Sequence, residues 1–167
     1  MTDLRRPVTL LGKAKYMTNR VTRYVFPRAG MIPIDRSGRG IGQSLRLALD
    51  RLGAGHVIGI FPEGTRSRTG RLLEGHLGAA HLALRSGAPL IPVGIIGSDV
   101  ALPVDHKLPY RHASVQVRIG APIDLGALGT GQPTASNKRA VTDELMAAIS
   151  ALCGQIEPVD RVPSWLP

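Results

Sequence analysis

The chain of 167 residues fits a single domain by length, and its composition is that of a globular protein. Apolar residues make up 43% and charged residues 20%, which excludes a disordered polyelectrolyte. The lone cysteine, Cys153, excludes an intramolecular disulfide and a cysteine-rich zinc site. No apolar stretch reaches the roughly 20 residues of a membrane-spanning helix, so we expect the chain not to cross a membrane by itself.

The net charge of +9 is concentrated near the amino terminus. Residues 1–51 hold 11 Lys and Arg against 3 Asp and Glu, whereas residues 52–167 hold 10 against 9. A local basic region attracts phosphate, whether on nucleic acid, on an anionic membrane or on a small ligand. The charge alone does not choose among these three partners.

Hydrophobic patterning predicts alternating helices and strands in the first half of the chain. Mixed apolar and basic residues favour a helix over Lys13–Phe26, followed by a short strand over Ala29–Ile34. Helical spacing of apolar residues predicts a helix over Leu45–Leu52 that ends at Gly53. The apolar run His56–Phe61, bounded by turn signals, predicts a buried strand.

The second half continues the same alternation. We predict a helix over Gly75–Arg85, a strand over Leu90–Ile96 and a final helix over Val141–Leu152. Apolar and polar residues alternate over Val115–Ile119, which predicts a half-buried strand. Alternating strands and helices favour an α/β fold, with a mixed, largely parallel sheet covered by helices. We expect one domain over residues 1–153 and a tail over residues 154–167.

The segment Phe61–Gly70 carries the densest set of chemically active residues. Gly, Thr, Ser and Arg follow directly after a predicted strand, at the edge of the sheet where open α/β sheets bind ligands. Arg66 can hold a phosphate with two parallel hydrogen bonds, and Arg36, after the Ala29–Ile34 strand, can supply a second arginine. Glu63 suits a ligand hydroxyl or a supporting role, because a carboxylate repels phosphate. The alternative is a solvated polar loop.

Three segments of the chain carry recognisable motifs. Gly30–Arg36 reads Gly-Met-Ile-Pro-Ile-Asp-Arg, Phe61–Ser67 reads Phe-Pro-Glu-Gly-Thr-Arg-Ser, and Ile91–Ile95 reads Ile-Pro-Val-Gly-Ile. In this order, and with Lys13–Tyr16 upstream, they resemble the motifs of the glycerolipid acyltransferases typified by 1-acylglycerol-3-phosphate acyltransferase. The resemblance covers roughly residues 8–125 and implies that family's fold.

The resemblance implies transfer of a fatty acyl group to lysophosphatidate or a related glycerol phosphate. The donor would be an acyl thioester, on coenzyme A or acyl carrier protein, and no cofactor or metal would be needed. Arg36, Gly64, Thr65 and Arg66 would bind the substrate phosphate, and Glu63 would support the acceptor. We expect a cytoplasmic protein, peripheral to the inner face of an anionic membrane.

The family's general base is missing from the sequence. In the family, a His-x-x-x-x-Asp motif precedes the other motifs, its histidine removes the hydroxyl proton, and its aspartate orients the imidazole. None of the 5 histidines here has an aspartate five positions later. We therefore expect a domain that is incomplete at its amino end and an impaired activity.

Other sites and functions are also open to prediction. His76 and His81, five residues apart on a predicted helix, would point about 140° apart, which disfavours a shared metal. A non-catalytic module that binds anionic lipid is the alternative to the acyltransferase. Nucleic acid is disfavoured as a partner, because the aromatic residues near the basic region match no stacking motif.

Overall fold

A computed structural model of the chain describes residues 8–13, 24, 30–34, 40–106, 108–126 and 133–155. They form two compact units: residues up to Phe61 together with Arg85–Ala88, and Pro62–Leu84 together with the residues from Pro89 onward. The α/β fold class is confirmed by a parallel sheet accompanied by helices. The single domain expected over residues 1–153 stays a prediction.

A parallel sheet of three strands forms the centre of the first unit. Strands β1 (Val8–Lys13), β2 (Met31–Ile34) and β3 (Val57–Gly59) lie in the order β2-β1-β3. Leu11 of β1 and Ile32 of β2 are buried and paired in register. The sequence prediction missed β1 because its apolar stretch is short. Its central position follows from its pairing with both β2 and β3, which a single sequence does not show.

Helix α1 (Gly40–Gly53) follows β2 in the chain and contacts both β2 and β3. The hydroxyl of Ser44 donates to the carbonyl oxygen of Pro33 at 2.9 Å, which ties the first turns of α1 to the end of β2. The helix predicted over Leu45–Leu52 is confirmed, and it begins earlier than predicted. Glycines and serine are weak helix formers, so tertiary contacts rather than propensity set this start.

The strand predicted over His56–Phe61 is shorter and less buried than expected. Only Val57–Gly59 forms β3, which lies at an edge of the sheet and is half-buried. The side chain of Phe61 is 58% exposed. An apolar run bounded by turn signals therefore predicted the strand correctly but not its burial, because an edge strand lacks a neighbour on one side.

The second unit contains most of helix α2 (Gly78–Ser86) and an antiparallel pair, β4 (Val93–Ile96) and β5 (Gln116–Ile119). The short helix α3 (Ser98–Ala101) lies between the two strands in the chain, and the long helix α4 (Ala135–Cys153) follows β5 and contacts both strands. The core side chains of α4 lie along one face and are buried: Val141, Leu145, Met146 and Ile149.

The exposed face of the β4–β5 pair corrects a sequence prediction. Val117 is 61% exposed and Ile119 is 69% exposed, whereas their side was predicted to be buried. Arg118, predicted to face solvent, donates from Nη1 to the carbonyl oxygen of Leu152 at the end of α4. Helix α4 packs closely against Gly94 of β4, so it covers the face that carries Gly94 and Arg118.

Helix α2 begins at Gly78 rather than at the predicted Gly75. A Cβ added at Gly75 would lie 2.7 Å from Cγ of Met146 and 2.8 Å from Cγ2 of Thr142, so the backbone at residue 75 lies directly against α4. The N–H of His76 donates to the carbonyl oxygen of Pro62. Both contacts hold this segment outside the helix.

Helix α4 is longer than its predicted range. It begins after Thr134, whose hydroxyl caps the helix by accepting the N–H of Asn137 at 3.1 Å, and it ends at Gly154 with a left-handed φ of 70°. Threonine as a helix cap and glycine after the last turn are ordinary terminus signals. The predicted helix Lys13–Phe26, apart from its strand residue Lys13 and helical Tyr24, lies outside the described residues.

Among the described segments, no helix combines the length and the apolar character that crossing a bilayer requires.

The close approach of residue 75 to helix α4 can be tested by substitution. We expect Gly75→Ala to lower the free energy of unfolding by about 1–3 kcal/mol, because its methyl group would overlap buried Met146 and Thr142. The matched control is Gly53→Ala at the end of α1, where an added Cβ meets no atom within 4 Å. Urea denaturation measures both variants, and equal stabilities for the two would contradict the packing.

Candidate functional site: the loop from Pro62 to His76

The motif residues Glu63, Gly64, Thr65 and Arg66 lie together in a closed loop of the second unit, here called the 62–76 loop. Its two ends meet where the N–H of His76 donates to the carbonyl oxygen of Pro62 at 2.9 Å. A second bond crosses the loop one residue further in, since Oε2 of Glu63 accepts the N–H of Leu73 at 2.8 Å. Two hydrogen bonds therefore hold the two ends of the loop together, and its outer residues lie between them.

Glu63 is half-buried, and its surroundings change its acidity. Desolvation by burial raises the pKa of Glu63 above its ordinary value of 4.5, and the hydrogen bond from Leu73 opposes that rise without cancelling it. The carboxyl group faces the loop's own backbone through that bond. This geometry suits the supporting role that the sequence allowed for Glu63.

Gly64, Thr65 and Arg66 follow Glu63 directly. Gly64 has a left-handed backbone with φ of 62°, a conformation that residues with a Cβ rarely adopt. Thr65 is half-buried, whereas Arg66 is exposed. A glycine turn followed by a hydroxyl and a guanidinium group is a chemically suitable surface for an oxyanion.

Arg66 is held by a carbonyl oxygen rather than by a carboxylate. Its Nη2 donates to the carbonyl oxygen of Val104 at 3.0 Å. Within the part of the chain that the structure describes, no acidic side chain forms an ion pair with Arg66. The guanidinium group has five N–H donors, so this bond orients it while no carboxylate of the described residues neutralises its charge.

The outer part of the loop is organised by its hydroxyl groups. The Ser67 and Thr69 hydroxyls lie 3.3 Å apart, and Oγ1 of Thr69 accepts the N–H of Arg71 at 3.4 Å. Arg68 pairs with Asp105 at 3.9 Å, and both side chains are well exposed. An exposed pair at this distance adds little stability, so Arg68 is not fixed as Arg66 is.

Two contacts of the loop were not predictable from sequence patterns. Val104 supplies the carbonyl oxygen that holds Arg66, and the side chain of Gln155 bonds to the backbone of Gly70 and Leu72. The partners are 38 and more than 80 residues apart in the chain. The only related sequence signal is Gly154, a typical helix terminator that places the residue after it at the end of α4.

The structure does not test the prediction for Arg36, and it places His76 at the closure of the loop. Arg36 lies outside the described residues, so its role in phosphate binding stays a prediction. His76 precedes helix α2 instead of lying on it, and therefore the 140° argument for its orientation relative to His81 does not apply. No cluster of three or more metal-ligating side chains occurs among the described residues.

The fold is similar to that of a solved acyltransferase. The crystal structure of the 1-acyl-sn-glycerophosphate (LPA) acyltransferase PlsC from Thermotoga maritima matches with a TM-score of 0.60 and 22% sequence identity, over 87% of this chain and 56% of that one. At this identity the match establishes the α/β fold and no more.

The sequence comparisons give the family. The acyltransferase family model matches residues 1–96, and the chain belongs to that family. Among curated relatives, the 1-acyl-sn-glycerol-3-phosphate acyltransferase BAT2 of Brassica napus chloroplasts is 32% identical over 56% of this chain and 28% of its own. The enzyme of the same name from Salmonella typhimurium is 27% identical over 93% of this chain and 64% of its own. The chain thus spans less than two thirds of these relatives.

The raised pKa of Glu63 predicts a defined pH dependence of stability. The folded state holds the Glu63 proton more tightly than the unfolded state, so unfolding free energy falls as pH rises from 4.5 through the folded pKa. Glu63→Gln keeps an acceptor for Leu73 and removes this titration. We expect the wild-type chain to lose stability relative to Glu63→Gln across that window.

Urea denaturation from about pH 4 to about pH 8 measures this difference. Glu144→Gln, at an exposed position of α4, controls for the removal of one carboxylate. A stability difference between wild type and Glu63→Gln that stays constant over the whole range would contradict the effect of burial.

Proposed function

We propose that the 62–76 loop binds the phosphate of a lysophosphatidate-type acceptor in an acyl-transfer reaction. The main support for the proposal is the environment of Arg66. Its Nη2 donates to the carbonyl oxygen of Val104 at 3.0 Å, and no acidic side chain among the described residues pairs with it. A phosphate monoester would supply the missing negative charge and accept two parallel hydrogen bonds from the guanidinium group.

The neighbouring residues support the same ligand. Gly64 bends the backbone with its positive φ, and Thr65 can offer a hydroxyl and a backbone N–H beside Arg66. Glu63 is turned to the N–H of Leu73, which fixes the loop and directs its carboxyl group onto the backbone. Arg36 would add a second cation from the segment that follows β2.

The relatives' names give the chemistry of the acceptor. A 1-acyl-sn-glycerol 3-phosphate carries one phosphate and a free hydroxyl group, so a phosphate site would position that hydroxyl beside an acyl thioester. Its oxygen attacks the thioester carbonyl, the carbon–sulfur bond breaks, and the proton of the hydroxyl passes to a general base. Coenzyme A or acyl carrier protein would be the leaving thiol, and the scheme requires no cofactor.

The family's His-x-x-x-x-Asp base motif is the part of this scheme that the sequence does not carry. A positioned base typically contributes about 10²–10⁴-fold in rate, and no histidine in the sequence has the spaced aspartate of the family's motif. We therefore expect these residues alone to bind the acceptor and to transfer acyl groups slowly.

Attachment to the cytoplasmic face of an anionic membrane would bring the protein to its lipid substrate. Helix α1 supports this location, because it exposes two arginines, Arg46 and Arg51, beside the exposed apolar residues Ile41 and Leu47. Basic and apolar residues on one exposed helix are typical of peripheral membrane contact. The same surface would serve the alternative function, a non-catalytic module that binds anionic lipid.

Substitution of Arg66 tests the phosphate site. We expect Arg66→Ala to weaken binding of a short-chain lysophosphatidate by about 10–100-fold, the loss of charge-assisted hydrogen bonds, with the fold unchanged. Arg68→Ala is the matched control, since it removes an equal charge two residues away from a weakly paired side chain. Isothermal titration calorimetry measures both affinities, and equal losses would contradict a specific role for Arg66.

A second measurement separates the acyltransferase from the lipid-binding module. If the proposal is correct, the chain preceded by a segment that supplies the His-x-x-x-x-Asp motif transfers acyl groups to lysophosphatidate, and Arg66→Ala abolishes most of that turnover. Binding to anionic vesicles with no acyl transfer by the extended chain would favour the non-catalytic module.

A further inference from the structure

The side chain of Gln155 joins the end of helix α4 to the 62–76 loop. Its Oε1 accepts the N–H of Leu72 at 2.9 Å, and its Nε2 donates to the carbonyl oxygen of Gly70 at 3.0 Å. Both bonds are partly buried, and together they use the donor and the acceptor of the amide. A side chain bonded in this way pairs with the loop backbone much as a neighbouring strand would.

The backbone of Gln155 is itself fixed at both polar groups. Its N–H donates to the carbonyl oxygen of Ser150 at 3.0 Å, and its carbonyl oxygen accepts the hydroxyl of Ser150. Gly154, with φ of 70°, donates to the carbonyl oxygen of Ala151, which completes the usual pair of bonds at a glycine-terminated helix. The amide of Gln155 is therefore presented from a rigid helix end.

A short path of bonds leads from this amide to the phosphate-binding residues. Gln155 holds Leu72, the next residue, Leu73, donates its N–H to Glu63, and Glu63 immediately precedes Gly64. The two bonds of Gln155 thus hold residues 70 and 72, directly before Leu73, whose N–H bonds to Glu63.

We propose that Gln155 is a positioning residue for the phosphate-binding loop, acting through Leu72, Leu73 and Glu63. The inference rests on the proposed function, because Gln155 can position a phosphate-binding loop only if the 62–76 loop binds phosphate. Gln155 acts by holding the backbone of Gly70 and Leu72, without a role as a catalytic residue.

The two-sided hydrogen bonding distinguishes this role from general packing. In Gln155→Glu the ionised carboxylate can still accept from Leu72 but faces the carbonyl oxygen of Gly70 with no proton to donate. Protonation restores an O–H donor, so the variant recovers both bonds at low pH. In Gln155→Met, a side chain of similar length, both bonds are lost at every pH.

Binding of sn-glycerol 3-phosphate to wild type, Gln155→Glu and Gln155→Met is measured at about pH 4, below the ordinary pKa of a glutamate, and at about pH 8, with each variant compared with wild type at the same pH. We expect Gln155→Met to bind about tenfold more weakly at both values. We expect Gln155→Glu to bind about tenfold more weakly at the higher pH and to approach wild type at the lower one.

Gln43→Glu, on the exposed surface of helix α1, is the matched control for an added carboxylate and should follow wild type at both pH values. If both Gln155 variants bind as wild type does at both pH values, the role of Gln155 is overturned and the proposed function is not. Equal weakening of Gln155→Glu at both values would also overturn it, because a loss of packing does not recover on protonation. Wild-type protein that binds no glycerol phosphate would overturn the proposed function, and with it this inference.

Discussion

The hydrogen bond from the N–H of Leu73 to the half-buried carboxyl group of Glu63 is the constraint on which the candidate site depends. It ties the start of the 62–76 loop to the segment that returns toward its end, inside the closure between Pro62 and His76. Burial raises the pKa of Glu63 because it disfavours the charged form, and the bond from Leu73 opposes part of that rise. A half-buried carboxyl group bonded to the loop backbone, directly before Gly64, favours a positioned loop over a solvated one.

The candidate residues could be named from the sequence because they are consecutive, and their role in phosphate binding stays a prediction. Gly64, Thr65 and Arg66 lie in one loop, and the acyltransferase family expected from the motifs is confirmed. What holds these residues could not be predicted, since Val104 and Gln155 reach the loop from 38 and 83 residues away in the chain. A single sequence carries no pattern for a contact between a side chain and a distant backbone carbonyl.

The fold likewise combines features that local sequence patterns predict with features that distant packing contacts decide. The cores of α1 and α4 were predicted by helical spacing, whereas the start of α2 was wrong by three residues because Gly75 packs against α4. Alternation in β5 gave the correct strand but not its burial, since all four of its residues are exposed and α4 packs against Gly94 of the neighbouring strand β4. Periodicity identifies an element, and only the packing partner decides which side is covered.

Titration of the ¹⁵N-labelled chain with sn-glycerol 3-phosphate, followed by amide chemical shifts, locates the phosphate site residue by residue. We expect the largest saturable shifts at the N–H groups of Gly64, Thr65 and Arg66, with a smaller response at Leu73. Shifts confined to the exposed arginines of helix α1, with the 62–76 loop unchanged, would contradict this expectation.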